Sequence, residues 1–306
     1  MVDTTKTVRF GILGCAEIPR KVARAIDLAP NATLCTLASR SKEKAEKFAA
    51  ENGFSASVKI YGSYDRLLED PSVDVVYVPL LISLHVRWVF MVAGRKKHVL
   101  VEKPATLDVA ELDQILAAVE SNDVQFMDGI MWLHHPRTAH IQQLCFVPSS
   151  TKRIGPIHSI HSTTTMPATP EFLESNIRVK PELDGLGVLG DLAWYCIGAS
   201  LWAKGYQLPI TVTALPDVKR NSAGVILSRT GHSSINYTRR ARQQRKIVGG
   251  IGVGLDDDDF LVRDDLFGVE SRREKPSMSS RGEAFSSEKN SKVLVLKARA
   301  NFWNIF

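Results

Sequence analysis

Between Val8 and Met127, strand-length apolar runs alternate at short intervals with stretches whose apolar residues recur at helical spacing. That rhythm argues for a parallel sheet wrapped by helices, because each parallel strand needs a crossover helix to return the chain to the same edge. Strands are expected at Val8–Leu13, Thr33–Ala38, Asp74–Val78, Val99–Val101 and Val124–Met127. Helices are expected at Ile18–Leu28, Lys42–Ala50, Ser63–Glu69, Leu84–Gly94 and Val109–Ser121, with Ser41 and Asp108 as N-caps. The pattern describes a doubly wound α/β domain over residues 1–130.

From about Met131 the rhythm changes. Ile157–Thr165 alternates as a strand with one exposed face, Leu189–Ala203 is an apolar helix, and Thr211–Leu215 and Val225–Leu227 read as further strands. Residues 131–228 are therefore expected to form an α+β domain with an open, incomplete antiparallel sheet. After Ser228 the patterning fails, and 229–306 reads as an atypical, largely disordered tail in which only Val293–Leu296 and Phe302–Phe306 are candidates for local order.

The net charge of +6 belongs to that tail. Residues 1–228 hold 24 Lys+Arg and 23 Asp+Glu (+1), while 229–306 hold 15 and 10 (+5). The body thus carries no nucleic-acid footprint, and Asp256–Asp259 oppose phosphate attraction by the nearby Arg239–Lys246 run. No apolar run reaches membrane-span length, and the polar amino terminus has no signal-peptide core. Cys15, Cys35, Cys145 and Cys196 are scattered without a CxxC pair, so reduced thiols in a cytoplasmic protein are expected.

Three positions carry chemistry in the first domain. His98-Val99-Leu100-Val101-Glu102-Lys103-Pro104 ends an apolar strand in an acid, a base and a proline. Carboxyl ends of strands are where ligands gather in open α/β sheets. Gly11-Ile12-Leu13-Gly14-Cys15-Ala16-Glu17-Ile18-Pro19 occupies the place of a dinucleotide fingerprint, with Gly14 first, Ala16 second and Pro19 third. Ser39-Arg40 stands at the end of the second strand, where an NAD enzyme places an acid against the ribose. A hydroxyl and a guanidinium suit a 2′-phosphate instead, so NADP is expected. Gly249-Gly250-Ile251-Gly252-Val253-Gly254 has neither the preceding strand nor the following helix of a phosphate loop. His134, His135 and His140 are interrupted by Pro136 and have no carboxylate near in sequence, so no metal is expected.

The Gly11–Ala16 turn, Pro79 followed by His85, Glu102-Lys103-Pro104, and Gly190-Asp191-Leu192-Ala193-Trp194-Tyr195-Cys196 together resemble the glucose–fructose oxidoreductase/inositol dehydrogenase (Gfo/Idh/MocA) family. Order and spacing match over residues 8–227. The last segment is most similar to the dihydrodiol dehydrogenase and NADP-dependent xylose dehydrogenase branch, with Tyr195 where inositol dehydrogenases carry His. The resemblance implies an N-terminal Rossmann domain and hydride transfer between a nicotinamide and a carbon of a sugar, polyol or trans-dihydrodiol. It further implies catalytic roles for Lys103, Asp191 and Tyr195, with Lys103 hydrogen-bonding the reacting oxygen and Tyr195 moving the proton. A cationic Lys103 nearby would bring that phenol toward working pH, and Asp191 would orient Lys103 or a substrate hydroxyl.

Cofactor contacts are implied for Gly11, Gly14, Ala16, Glu17, Ile18, Ser39, Arg40, Pro79, His85, Glu102 and Lys103, and Trp132 and His134 are expected to line the substrate cleft. The resemblance also implies a homo-oligomer, with a small-molecule sugar, polyol or diol as substrate. Two departures stand out: Leu80-Leu81-Ile82 is more apolar than the family's usual residues beside the nicotinamide, and the chain leaves the family pattern at about Ser228. An abrupt loss of periodicity of that kind is what an altered reading frame or an unusual splice product gives. The alternative to an active enzyme is a catalytically inactive, nucleotide-binding or interaction variant truncated in its substrate domain.

Overall fold

A computed structural model describes residues 7–146, 157–166, 168–209, 211–213, 218–229, 234–236, 247–252 and 292–299. The chain divides into two compact units after Ile130, with Glu182–Gly185 grouped with the first.

The first unit is built from β1 (Val8–Leu13), α1 (Glu17–Leu28), β2 (Ala32–Ala38), α2 (Lys42–Glu51), β3 (Lys59–Tyr61), α3 (Tyr64–Glu69), β4 (Val75–Val78), α4 (Ile82–Gly94), β5 (His98–Val101), α5 (Val109–Ser121) and β6 (Phe126–Asp128). Its sheet is entirely parallel, in the order β3-β2-β1-β4-β5-β6. The direction of winding reverses between β1 and β4, and a crevice at the carboxyl ends is the consequence. Strand β4 shows why the sheet is covered twice. Val76 and Val78 enter the core shared with Val89, Val92 and Ile115, whereas Tyr77 enters the opposite core with Ile12, Ala23, Ile26 and Leu37. Burying each such aliphatic side chain contributes about 1.5–3 kcal/mol, so the sheet is held from both faces.

The helix starts follow local chemistry. Ser41 accepts from the Lys44 amide, Ser63 from Arg66 and Asp108 from Glu111, each satisfying an otherwise orphaned donor. Sequence periodicity identified every strand but β3, whose three residues are too few to show alternation. The last strand lies at Phe126–Asp128, two residues beyond the start expected from its apolar pattern. The apolar Leu80-Leu81-Ile82 run also has a packing reason, since Ile82 is buried in the first turn of α4.

The second unit contains a turn of 3-10 helix (Met131–His134), α6 (Pro136–Phe146), β7 (Ile157–Thr165), α7 (Pro170–Ser175), a π-helical turn (Leu189–Ala193) running into α8 (Trp194–Ala203), and β8 (Thr211–Thr213), β9 (Val218–Arg220), β10 (Ile226–Arg229), β11 (Ser234–Asn236), β12 (Ile247–Gly252) and β13 (Lys292–Arg299). Its larger sheet has the order β13-β7-β12-β10-β9, and β8 pairs with β11 separately. The antiparallel pairing expected from sequence is present in β9-β10-β12 and β8-β11. Strand β7 departs from it, pairing in parallel with both β12 and β13, so the larger sheet is mixed.

Residues 234–236, 247–252 and 292–299 supply strands within the segment expected to be a disordered tail. The Arg239–Lys246 run, Asp256–Asp259 and Phe302–Phe306 lie outside the described residues. Gly249–Gly252 belong to β12 and form no phosphate loop. Among the described residues no helix is long and apolar enough to cross a membrane.

Candidate active site

The carboxyl ends of β1, β2, β4 and β5 bring together most of the cofactor residues named from sequence. At the β1–α1 turn Gly14 has φ +99°, a left-handed conformation that favours glycine. Its amide donates to the Ala38 carbonyl at 2.7 Å, which ties the turn to the end of β2. A Cβ on Gly14 would stand 3.2 Å from Leu80 Cδ2 and 3.5 Å from Tyr64 Oη, so those two side chains overlie the turn. Helix α1 then begins at Ala16 with no side-chain cap. The first amides of a helix that no side chain caps can receive an anion, in the field of the helix dipole. Pro19 has no N–H to add, and exposed Glu17 is ion-paired with Arg20, which offsets its charge beside an incoming phosphate.

Other cofactor candidates occupy different settings. Gly11 lies within β1, and a Cβ there would meet Thr36 Oγ1 at 2.6 Å and Leu67 Cδ2 at 3.0 Å. Its small size is required for packing inside the sheet, away from the turn. Ser39 is buried and bonded to Cys15, and its amide donates to the Tyr61 carbonyl. Arg40 beside it is exposed and close enough to Tyr64 for its charge to act on the phenol. Burial pushes the Tyr64 phenol up, and it likewise pushes the Cys15 thiol up, keeping that sulfur protonated.

Pro79 is buried at the end of β4. His85 is fully buried, with Nδ1 3.0 Å from the Ala105 carbonyl and Nε2 3.0 Å from the Leu80 carbonyl. Both ring nitrogens therefore face protein carbonyls.

At the end of β5, Glu102 accepts a hydrogen bond from Tyr77 Oη at 2.5 Å. A Cβ on Gly129 would come within 3.1 Å of Glu102 Oε1, so the absence of a side chain there makes room for the carboxylate. Lys103 is only 9% exposed, and the Lys103–Pro104 peptide is cis. Tyr77, Tyr64 and Gly129 were not distinguishable as site residues from sequence. Tyr77 reads as one more member of an apolar strand, and only the β4–β5 register places its hydroxyl opposite Glu102.

In the second unit Asp191 sits in the π-helical turn and Tyr195 in the first turn of α8. The expected uniform α-helix over 189–203 is interrupted there, and π turns concentrate at functional positions. Asp191 is buried and paired with Arg178, whose Nε lies 2.7 Å from Oδ2. Arg178 was not singled out from sequence, since a partner thirteen residues upstream has no helical or strand periodicity to reveal it. Tyr195 is half-buried.

Trp132 packs over Gly198 and meets Trp202 edge-on at 5.7 Å, while its buried Nε1 has no hydrogen-bond partner among the described residues. His134 is exposed in the 3-10 turn beside it. Among the described residues no group of three or more His, Cys, Asp or Glu side chains could hold a metal ion.

Residues 8–130 match the model of the Gfo/Idh/MocA oxidoreductase family, NAD-binding Rossmann fold. A dTDP-3,4-didehydro-2,6-dideoxy-α-D-glucose 3-reductase from Streptomyces antibioticus is 30% identical over 232 residues, covering 74% of this chain and 67% of that protein. The NADP-dependent D-xylose 1-dehydrogenase 2 of Haloferax volcanii is 34% identical over 191 residues, 62% of this chain and 55% of its own length. Across such relatives the chain spans between about half and two thirds of their length. A 3-ketoreductase from Actinomadura kijaniata, solved with NADP and TDP-benzene, superposes with a TM-score of 0.66 at 26% identity, covering 81% of this chain and 70% of that one. With its wholly parallel sheet, its Gly14 turn and its Glu102-Lys103-Pro104 strand end, the chain belongs to the Gfo/Idh/MocA oxidoreductase family.

Proposed function

We propose that the protein is an NADP-dependent oxidoreductase acting on a carbonyl or hydroxyl carbon of a sugar, polyol or trans-dihydrodiol. The observation that carries this reading is the buried Lys103 at the carboxyl end of β5, in the same sheet edge as the Gly14 turn. A bound nicotinamide supplies the hydride, and the protein must position the reacting carbon and manage one proton. Lys103 donates a hydrogen bond to the reacting oxygen, favouring negative charge there during reduction. Tyr195 passes its hydroxyl proton to that oxygen on reduction and takes it back on oxidation. Asp191, oriented by its pairing with Arg178, holds a substrate hydroxyl.

The uncapped start of α1 and the left-handed Gly14 suit a pyrophosphate. The exposed Arg40 at the end of β2 favours the 2′-phosphate of NADP over NAD. The sugar and diol classes rest on the names of the relatives: nucleotide-sugar reductase, xylose dehydrogenase and trans-1,2-dihydrobenzene-1,2-diol dehydrogenase.

The test is NADPH binding by fluorescence followed by NADP reduction against a panel of sugars, polyols and dihydrodiols. Lys103→Met and Tyr195→Phe should each lower kcat by about 10²–10⁴-fold while NADPH still binds. Turnover indifferent to Lys103 overturns the mechanism. A second reading, a nucleotide-binding protein without turnover, is favoured by the departure of the chain from the family pattern at about Ser228. Binding of NADPH without turnover of any panel member would select it.

A further inference from the structure

His85 lies in the first turn of α4, at the same edge of the sheet as the proposed cofactor site. It is 0% exposed, so neither substrate nor cofactor can reach its ring without rearrangement. Its two nitrogens face two different loops. Nε2 lies 3.0 Å from the carbonyl of Leu80, the residue whose side chain overlies Gly14. Nδ1 lies 3.0 Å from the carbonyl of Ala105, two residues beyond Lys103.

Further along, the same segment is anchored independently. Thr106 Oγ1 donates to the Asp108 carbonyl, and the Leu107 amide donates to Glu111. Leu80 and Ala105 thus have one imidazole in common, and the loops after β4 and β5 meet at it.

We propose that His85 is a positioning residue that ties the loop over the dinucleotide turn to the segment behind Lys103. This rests on the function proposed above and adds how the two ends of that site are kept in register. A doubly protonated ring donates to both carbonyls, whereas a neutral ring donates to one and turns a lone pair toward the other. Burial lowers the pKa of the ring. The carbonyls of Ala105, Leu80 and Pro104 and the charge of Glu111 act in the opposite direction.

The two contacts can be separated, because an asparagine amide stands where Nδ1 does and can donate to Ala105, and a glutamine amide stands where Nε2 does and can donate to Leu80. His85→Asn should keep the Ala105 bond and lose the Leu80 bond. His85→Gln should do the reverse. In the full chain without cofactor, hydrogen exchange should rise about fivefold to tenfold over Leu80–Leu84 in His85→Asn and over Ala105–Leu107 in His85→Gln, the scale set by one lost hydrogen bond.

With cofactor, His85→Asn should raise the NADPH dissociation constant by a similar factor with kcat little changed, and His85→Gln should lower kcat with that constant little changed. Loosening of neither segment, of the same segment by both variants, or equal changes in both constants overturns the proposal. If either variant fails to fold, couplings from the ring nitrogens of the ¹⁵N-labelled wild type to the ¹³C carbonyls of Leu80 and Ala105 decide it, and their absence at both pH 5 and pH 8 is fatal. A wild type that binds no NADPH defeats the functional reading instead, and leaves the exchange experiment on the chain without cofactor intact.

Discussion

Two carboxylates adjoin the residues expected to act on substrate, and the two units hold them by different means. Glu102, next to Lys103, is held by the neutral phenol of Tyr77 on the neighbouring strand. Asp191, one turn before Tyr195, is held by the charged guanidinium of Arg178. In the first unit the parallel register alone carries Tyr77 to the partner of Glu102. In the second, an irregular segment has to be pinned before its carboxylate points anywhere. Gly187 (φ +53°) brings it against Val225 and the Ile226 carbonyl, and Asn221 bonds both the Val179 carbonyl and the Val225 amide. Strand register thus brings Tyr77 to Glu102, whereas an irregular backbone held by a close glycine contact brings Arg178 to Asp191.

The largest effect should come from removing that contact. A Cβ on Gly187 would lie 2.6 Å from the Ile226 carbonyl oxygen and from Val225 Cγ1, in a backbone conformation that already disfavours side chains. Gly187→Ala is expected to destabilise by about 3 kcal/mol in urea denaturation, since backbone as well as side chain must move. An unchanged midpoint would show that the second unit does not depend on this approach.

Arg178→Met should follow, at about 2 kcal/mol. It removes the Arg178 guanidinium from the buried Asp191 carboxylate, although a guanidinium that is 34% exposed contributes less than a fully buried one. The same denaturation curve measures it, and a loss no larger than for a surface pair would place the support of Asp191 elsewhere.

Asp70 extends the comparison to the opposite, amino-terminal edge of the first sheet, where that unit does use charge. Its carboxylate accepts from Lys59, Tyr61 and both the amide and hydroxyl of Ser72, and these bonds hold its pKa well below the usual carboxylate range. A depressed folded-state pKa means stability that is present above the unfolded value of about 3.9 and is lost as pH falls through the folded value. Asp70→Asn should therefore cost about 2 kcal/mol at pH 7 and progressively less below about pH 4, with NADPH affinity unchanged. A cost independent of pH would contradict the sign.

Tyr77→Phe should have the smallest effect, about 1 kcal/mol in the same unit, because it removes one neutral hydroxyl from a carboxylate that stays partly solvated. Lys103-dependent turnover should change less than fivefold, as read from kcat.

Much of the first unit was legible from residue order. Strand and helix boundaries fell within about two residues of those expected, and Ser41 and Asp108 cap the helices they precede. The position of the Gly14 turn and that of Lys103 were legible as well, because strand ends in a parallel sheet follow directly from strand positions. Gly11, Ser39 and His85 were legible only as positions. Gly11 packs inside β1, Ser39 is buried against Cys15, and His85 faces two carbonyls, and none of these settings has a local signature. In the second unit, β7 reads as an alternating strand whether its neighbours run parallel or antiparallel, so its parallel pairing with β12 and β13 could not be read.

The sequence by itself determined the alternating α/β unit, the family and the address of Lys103, because periodicity and short motifs act through neighbours in the chain. Tertiary structure alone decided what holds those groups. Tyr77 meets Glu102 across 25 residues, Arg178 meets Asp191 across 13, and His85 reaches Ala105 across 20. Contacts of that kind depend on strand register and on backbone brought close by packing, which no local pattern of residue types encodes.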